Sequence, residues 1–303
     1  MLSGVVIIDK PEGVTSFDVV ARVRRALGVK KAGHTGTLDP LATGVLPVLV
    51  GRAVKASDYM LSSDKHYEAT LLLGVSTDTE DVTGRVLAES DNIPDEKTVL
   101  ETVSRFVGEQ YQIPPMYSAL KVGGKKLCDL AREGKEVERE PRKITVYSLG
   151  VKRISEREYT LDVVCSKGTY IRTLCADIGN ALGCFGTMKT LRRMCSGGFS
   201  CEAAIPLDEF LSLDSESRAK AVIPTEKIFE KYTEVTLPDF FSKLAHSGLE
   251  IYLHKIAFSA ELGELIRLSD KDGFFALGEV REYESGLAIK PIRQFGDTDG
   301  GSK

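Results

Sequence analysis

The stretch Gly33-His34-Thr35-Gly36-Thr37-Leu38-Asp39-Pro40-Leu41-Ala42-Thr43-Gly44 decides how the rest of the chain is read. Three glycines, three threonines and a proline in twelve residues exclude a regular helix or a central strand, because glycine and proline break both. The glycines permit positive φ angles or the close approach of another backbone. One carboxylate, Asp39, and one imidazole, His34, sit inside this loop. The apolar run Val45 to Val50 follows at once and reads as a buried strand. An acid on a tight loop anchored by core is how a scaffold presents a nucleophile or a general base. Taken alone, Asp39 reads as a turn opener or a helix cap.

Composition bounds the answer. The 303 residues suggest two domains or one large one. Hydrophobic content of 42% and charged content of 28% are ordinary for a globular protein with a sizeable core. No apolar run approaches the roughly 18 residues of a membrane span. The run Val5-Val6-Ile7-Ile8 ends at Asp9-Lys10, too short for a signal-peptide core, so a cytoplasmic location is expected. Six cysteines form no Cys-x-x-Cys pair and four histidines do not cluster with them, so no metal site is expected. Cys165 and Cys175 sit in apolar patterns and read as buried reduced thiols. The net charge of −4 does not announce a nucleic-acid partner. Its distribution is uneven, however: Ala21 to His34 carries five basic residues and no acid, while acid collects at Asp78, Glu80, Asp81, Glu89, Asp91, Asp95 and Glu96.

In chain order, Ser3 to Asp9 reads as a strand, and Lys10-Pro11-Glu12-Gly13-Val14-Thr15-Ser16 as a turn. Ser16 is expected to cap a helix whose buried stripe is Phe17, Val20, Val23 and Leu27, ended by Gly28. Ala53 to Leu61 reads as a short helix. A strand from His66 places Tyr67, Ala69, Leu71 and Leu73 on one face. The acidic stretch Asp78 to Asp81, closed by Gly84, reads as a solvated hairpin. A helix over Asp95 to Gly108 buries Val99, Val103, Phe106 and Val107. Two prolines bar a central strand at Gln112 to Lys121. Residues 121–143 carry eight basic and five acidic side chains around Gly123-Gly124, which reads as a mobile basic flap and not as a phosphate-binding P-loop. Strands at Ile144 to Val151 and Tyr159 to Ser166 pair. A helix from Tyr170 buries Ile171, Leu174, Cys175, Ile178 and Leu182, and another covers Pro206 to Leu213. A linker is set near Glu230 to Thr233. Beyond it, Ile251 to Phe258, Leu262 to Leu268, Phe274 to Val280 and Leu287 to Pro291 suggest a small β-barrel, and Gly296 to Lys303 a frayed tail.

Thr35-Gly36-Thr37-Leu38 has the look of the segment after the phosphorylated aspartate of P-type ATPases, but Gly33 stands where that aspartate would be. The full loop instead resembles the catalytic motif of the TruB family of tRNA pseudouridine synthases. Three further stretches resemble that family in order: Lys10-Pro-x-Gly-x-Thr-Ser16; Lys65-His66-Tyr67 followed by Gly74-x-x-Thr77-Asp78-Thr79; and Ser166-Lys167-Gly168-Thr169-Tyr170-Ile171-Arg172. The resemblance covers residues 3 to about 200. It implies an α+β pseudouridine synthase fold, a mixed, largely antiparallel sheet flanked by helices. Residues 1–230 would form the catalytic domain, with an RNA-clamping thumb at about 115–143, and 231–303 a PUA-like RNA-binding domain and tail.

The resemblance also implies an activity: isomerisation of uridine to pseudouridine at position 55, in the TΨC loop of tRNA, by a flipped base and the Asp39 carboxylate. No cofactor, redox change or metal is implied. Arg172 would pair with Asp39 and keep it charged, which suits a planar, always protonated group. Tyr67 would stack on the flipped base, with Tyr170 and Leu191 walling the pocket. His34 would hold the RNA loop open by stacking. Lys10 and Lys121 are expected to meet RNA, and Arg192 and Arg193 its backbone. The C-terminal domain would touch the acceptor region. No obligatory protein partner, no membrane and a monomer are expected. The rival readings are a guide-RNA-dependent synthase, a non-catalytic tRNA-binding chaperone and an unrelated aspartate hydrolase.

Overall fold

The structure is a computed structural model that describes residues 2–61 and 63–296. Strand β1 (Gly4–Lys10) runs into helix α1 (Ser16–Ala26), the short β2 (Ala32–His34) and β3 (Thr43–Val50). A 3₁₀ turn (Gly51–Ala56) and α2 (Ser57–Leu61) lead to β4 (Lys65–Leu73), the hairpin β5 (Val75–Thr77) and β6 (Val86–Glu89), α3 (Glu96–Ser104) and β7 (Gly108–Gln112). Next come a small hairpin, β8 (Lys121–Val122) with β9 (Lys125–Lys126), and α4 (Leu127–Arg132). Then follow β10 (Arg142–Arg153), β11 (Glu158–Cys165), α5 (Ile171–Ala181) and β12 (Gly186–Ser196). Short β13 (Phe199–Ser200), β14 (Ile205–Pro206), α6 (Leu207–Ser212), α7 (Ser215–Lys220) and β15 (Ile223–Pro224) follow. The rest holds β16 (Glu234–Thr236), α8 (Asp239–His246), β17 (Ile251–Tyr252), β18 (Leu265–Asp270), β19 (Gly273–Tyr283) and β20 (Gly286–Gln294).

The large sheet runs β14-β1-β3-β12-β4-β11-β10-β7, with β2, β13 and β15 attached at its margins. Only β1–β14 and β3–β12 are parallel, so the sheet is mixed and largely antiparallel, as expected. The alternation of β4 holds: Tyr67, Ala69, Leu71 and Leu73 are all buried. So does the stripe of α5, where Ile171, Leu174, Cys175 and Ile178 are buried.

The phase of α1 differs from expectation. Thr15, not Ser16, is the N-cap, in a capping box with Asp18. Ser16 faces inward, and with Val19, Val20 and Val23 it completes the i, i+3, i+4, i+7 face of the helix. Phe17 is thereby turned outward, 75% exposed. Val107 also lies outside the core, because α3 stops at Ser104.

The second sheet has the order β16-β18-β19-β20-β17 and is open between β16 and β17, so it forms a half-barrel. Only Ile251–Tyr252 of the first expected strand is extended, and α8 was not foreseen. An aromatic plug joins the two sheets. Phe229 packs against Tyr59, Phe274 and Phe295 at ring-centre distances of 5.3, 5.8 and 5.2 Å, over Ala56 and Leu277. Of the expected tail, residues 297–303 lie outside the described residues.

One glycine is dictated by the meeting of β3 and β12. Gly44 has φ +98°, and a Cβ there would lie 2.3 Å from the Arg193 carbonyl oxygen. Gly44→Ala is expected to destabilise the protein by at least about 2 kcal/mol, through backbone strain and overlap. Urea denaturation measures this, and a loss below about 0.5 kcal/mol would show that the β3–β12 junction is not so tight.

Candidate active site

The motif loop is held from below by the Lys10–Ser16 segment. Ser16 Oγ donates to the Leu38 carbonyl at 3.0 Å and accepts from the Leu38 amide at 2.8 Å. The Gly13 amide donates to the Pro40 carbonyl at 2.8 Å. The Lys10 ammonium is fully enclosed, donating to the carbonyls of Pro11, Val14 and Pro40 at 2.9, 2.7 and 3.2 Å. Burial lowers its pKa to about 8, opposed by the field of Asp39. This corrects the expected RNA contact of Lys10: its donors are spent on the underside of the loop, and no face of it meets solvent.

From the other side the loop is held by Arg193, 1% exposed, whose Nε donates to Val45 O at 2.7 Å and Nη2 to Gly36 O at 3.2 Å. Arg192 pairs with Asp9 at 2.6 Å. The backbone role expected of Arg193 is therefore corrected as well: it is a buried strut, whereas Arg192 pairs with Asp9 and stays partly exposed.

So pinned, Asp39 faces a cleft of about 690 Å³, ordinary for a small-molecule or nucleotide pocket. Arg172, buried in the first turn of α5, places Nε 3.0 Å from Asp39 Oδ2. Its other donors are also used. Nη1 reaches Thr79 O at 3.0 Å and lies 4.0 Å from Asp81 Oδ2, and Nη2 reaches Tyr117 O at 2.8 Å. A fork with every prong fixed has one orientation, which is what a bidentate planar cation provides and a lysine would not.

Burial in the cleft raises the Asp39 carboxyl above the ordinary aspartate range; Arg172 opposes the rise without cancelling it, and Asp81 adds to it. Tyr67, Tyr170 and Leu191 line the same cleft, with Tyr67 and Leu191 buried. Tyr170 is oriented by Gln112, whose amide donates to Tyr170 O at 3.0 Å and accepts from Tyr170 N at 2.8 Å. Burial raises the pKa of both tyrosines, so each phenol is neutral at neutral pH. His34 ends β2 outside the cleft wall; burial lowers its pKa and its Nδ1 has no hydrogen-bond partner among the described residues. A neutral ring held there is suited to stacking rather than to giving up a proton. Lys121 is exposed on the β8–β9 hairpin, whose Gly123-Gly124 turn has φ +58° and +85°. Helix α4 beyond it brings Cys128 and Arg132 to the cleft.

The acidic stretch departs from the solvated hairpin expected of it. Asp81 is 6% exposed, held by the hydroxyls of Thr79 and Thr83, and Glu80 accepts from Thr173 Oγ1 at 2.6 Å. The turn is thus one wall of the site and not a solvated hairpin. Carboxylates interleaved with threonines, Asp78-Thr79-Glu80-Asp81-Val82-Thr83, were the available signal, since hydroxyls that can pay out hydrogen bonds locally are what buried carboxylates require. Tyr117, Ser118 and Gln112 left no such trace.

The family model described as TruB family pseudouridylate synthase (N terminal domain) matches residues 24–171, and that described as tRNA pseudouridylate synthase B C-terminal domain matches residues 172–230. A Clostridium kluyveri protein named tRNA pseudouridine synthase B is 48% identical over 250 residues, covering 82% of this chain and 86% of its own. A Clostridium perfringens protein of the same name is 43% identical over 294 residues, covering 96% and 99%. Among solved structures, a Cbf5-Nop10-Gar1 complex aligns with TM-score 0.73 and 30% identity, over 97% of this chain and 85% of that one.

The raised carboxyl makes a signed prediction. As pH falls, Asp39 should lose its charge at a higher pH than an exposed aspartate, and Arg172→Met should move that midpoint further up because the opposing cation is gone. Carbon-13 NMR titration of the Asp39 carboxyl measures both; a midpoint that drops in Arg172→Met contradicts the assignment of charges.

Proposed function

The chain belongs to the TruB family of pseudouridine synthases, and from that premise we propose that it converts uridine 55, in the TΨC loop of tRNA, to pseudouridine. It is an isomerase that makes pseudouridine in tRNA; the position and the roles below are the finer proposal. The observation that carries it is the Asp39–Arg172 contact of 3.0 Å in a cleft of nucleotide size.

The product has the atoms of the substrate. The C1′–N1 bond breaks, the base turns, C1′ joins C5, and the proton lost from C5 is balanced by one gained at N1. Asp39 is the group that engages the nucleotide, and it does so as the carboxylate that Arg172 maintains. Tyr67 stacks on the extruded base, and Tyr170 and Leu191 close the pocket round it. His34 fills the space that the extruded base leaves. The exposed lysines Lys121, Lys125 and Lys126 of the β8–β9 hairpin grip phosphates. We take residues 1–230 as the catalytic domain with its thumb at 115–143, and 231–303 as a PUA-like domain on the acceptor region. We also propose that the protein acts in the cytoplasm, as a monomer, on tRNA alone. The hairpin and α4, a segment that the family resemblance implies guide-RNA-dependent relatives generally lack, favour this over guidance by a second RNA.

Purified protein should modify the single TΨC-loop uridine of an unmodified tRNA transcript, and Asp39→Asn should bind that transcript while reacting at least about 10³-fold more slowly. Chemical mapping of pseudouridine reads the outcome. Tight binding without reaction by the unaltered protein would sink the proposal. Replacing Lys121, Lys125 and Lys126 with alanine should weaken binding and lower the slope of log affinity against log salt by about two to three. An unchanged slope would remove the hairpin from the RNA interface.

A further inference from the structure

Glu80 combines two features that rarely meet. Its φ is +62°, in the left-handed region that residues with a Cβ avoid, and its carboxylate is half-buried. Such a conformation persists only where the surroundings over-determine it, and it clusters at functional sites. The surroundings are well defined. Thr173 Oγ1 donates to Glu80 Oε2 at 2.6 Å, the Met188 amide donates to the Glu80 carbonyl at 3.0 Å, and the Glu80 amide donates to Thr77 O at 3.3 Å.

The kink has a geometric effect. It reverses the chain between Thr79 and Asp81, so that the Thr79 carbonyl and the Asp81 carboxylate converge on Arg172 at 3.0 and 4.0 Å. Thr173 is the residue after Arg172 on α5. The turn is therefore fastened to the helix one position away from the guanidinium it surrounds. Glu80 itself lies outside the cleft wall. The charged groups around it are Arg172 and Asp177 of α5 and Arg139 of the segment before β10. Burial raises its carboxyl, and the Thr173 hydroxyl opposes this.

We infer that Glu80 is a positioning residue for the reaction: its clasp on Thr173 registers the acidic turn against α5, and the turn in that register holds the Arg172 fork on Asp39. The inference rests on the proposed function for its kinetic consequence, but not for its structural one. Glu80 acts through Thr79, Asp81 and Arg172, and touches no substrate.

The test compares Glu80→Gln, Glu80→Ala, Thr173→Val and the Glu80→Ala/Thr173→Val pair. Glu80→Gln keeps an oxygen that accepts the Thr173 hydroxyl and should stay within about threefold of the unaltered single-turnover rate. Glu80→Ala and Thr173→Val should each slow the reaction roughly tenfold to a hundredfold, with affinity for tRNA within about twofold, as small displacements of a catalytic geometry do. The pair should be no slower than the slower single variant, because both remove one contact. In the free protein the Asp39 NMR midpoint should rise in Glu80→Ala and Thr173→Val and stay put in Glu80→Gln. Additive losses, losses confined to tRNA affinity, or a lower melting temperature with the Asp39 midpoint unmoved would each overturn the inference. The titration needs no activity, so absence of pseudouridine formation by the unaltered protein overturns the proposed function while the midpoints still decide on the clasp.

Discussion

The structure depends on one charged contact in a place that disfavours charge. The cleft withdraws solvent from Asp39 and raises its pKa, and Arg172 restores much of what is lost. That cation is itself buried, and a buried guanidinium with unused donors would be expensive. Hence the arrangement round it: two backbone carbonyls, Thr79 and Tyr117, and a second carboxylate, Asp81. Thr79 and Asp81 come from one turn, and Tyr117 from a separate segment. The packing of β4–β6, of the loop before the β8–β9 hairpin and of α5 must all be right before the fork is complete.

The loop that carries Asp39 is held by an equally distributed set. Lys10 and Ser16 fix it from the strand-to-helix turn, and Arg193 fixes it from β12. Two buried cations thus serve main-chain carbonyls rather than RNA. Their work is to give an irregular backbone, which has no ladder to satisfy its polar groups, the partners that regular structure would have supplied. The desolvated lysine, at a pKa of about 8, shows the cost of doing this inside the protein.

Much of this was legible in the sequence, and the rest was hidden for definable reasons. The period-two pattern at Tyr67 to Leu73 and the 3.6-residue pattern of α5 located both elements, because burial there is one-sided and apolar. Glycine and proline marked the motif loop, and its Asp39 and Arg172 meet as the family resemblance implied. The phase of α1 was lost because Ser16, a polar residue, occupies the inward face and Phe17 does not. The acidic turn is not legible because a run of charge ordinarily signals solvent, whereas Asp81 is enclosed by hydroxyls and a guanidinium. Lys10 and Arg193 were misplaced by the same assumption. Long-range polar contacts leave no period in a sequence, so a buried cation looks like a surface one until the chain is folded.

The aromatic plug between the two sheets bears on how the molecule takes a measurement. Phe229, Tyr59, Phe274 and Phe295 meet as one piece of core, and Lys55 Nζ adds a contact to Gln294 O at 3.0 Å. A tether would leave the half-barrel free to sample many orientations; packed rings leave it few. The distance from the cleft to the far edge of the half-barrel is then a property of the fold, like the gap of a fixed caliper. An object gripped at both ends is selected by its length as well as by its chemistry. Under the proposed function, a tRNA held on both the cleft and the half-barrel would have to present its uridine at that one spacing.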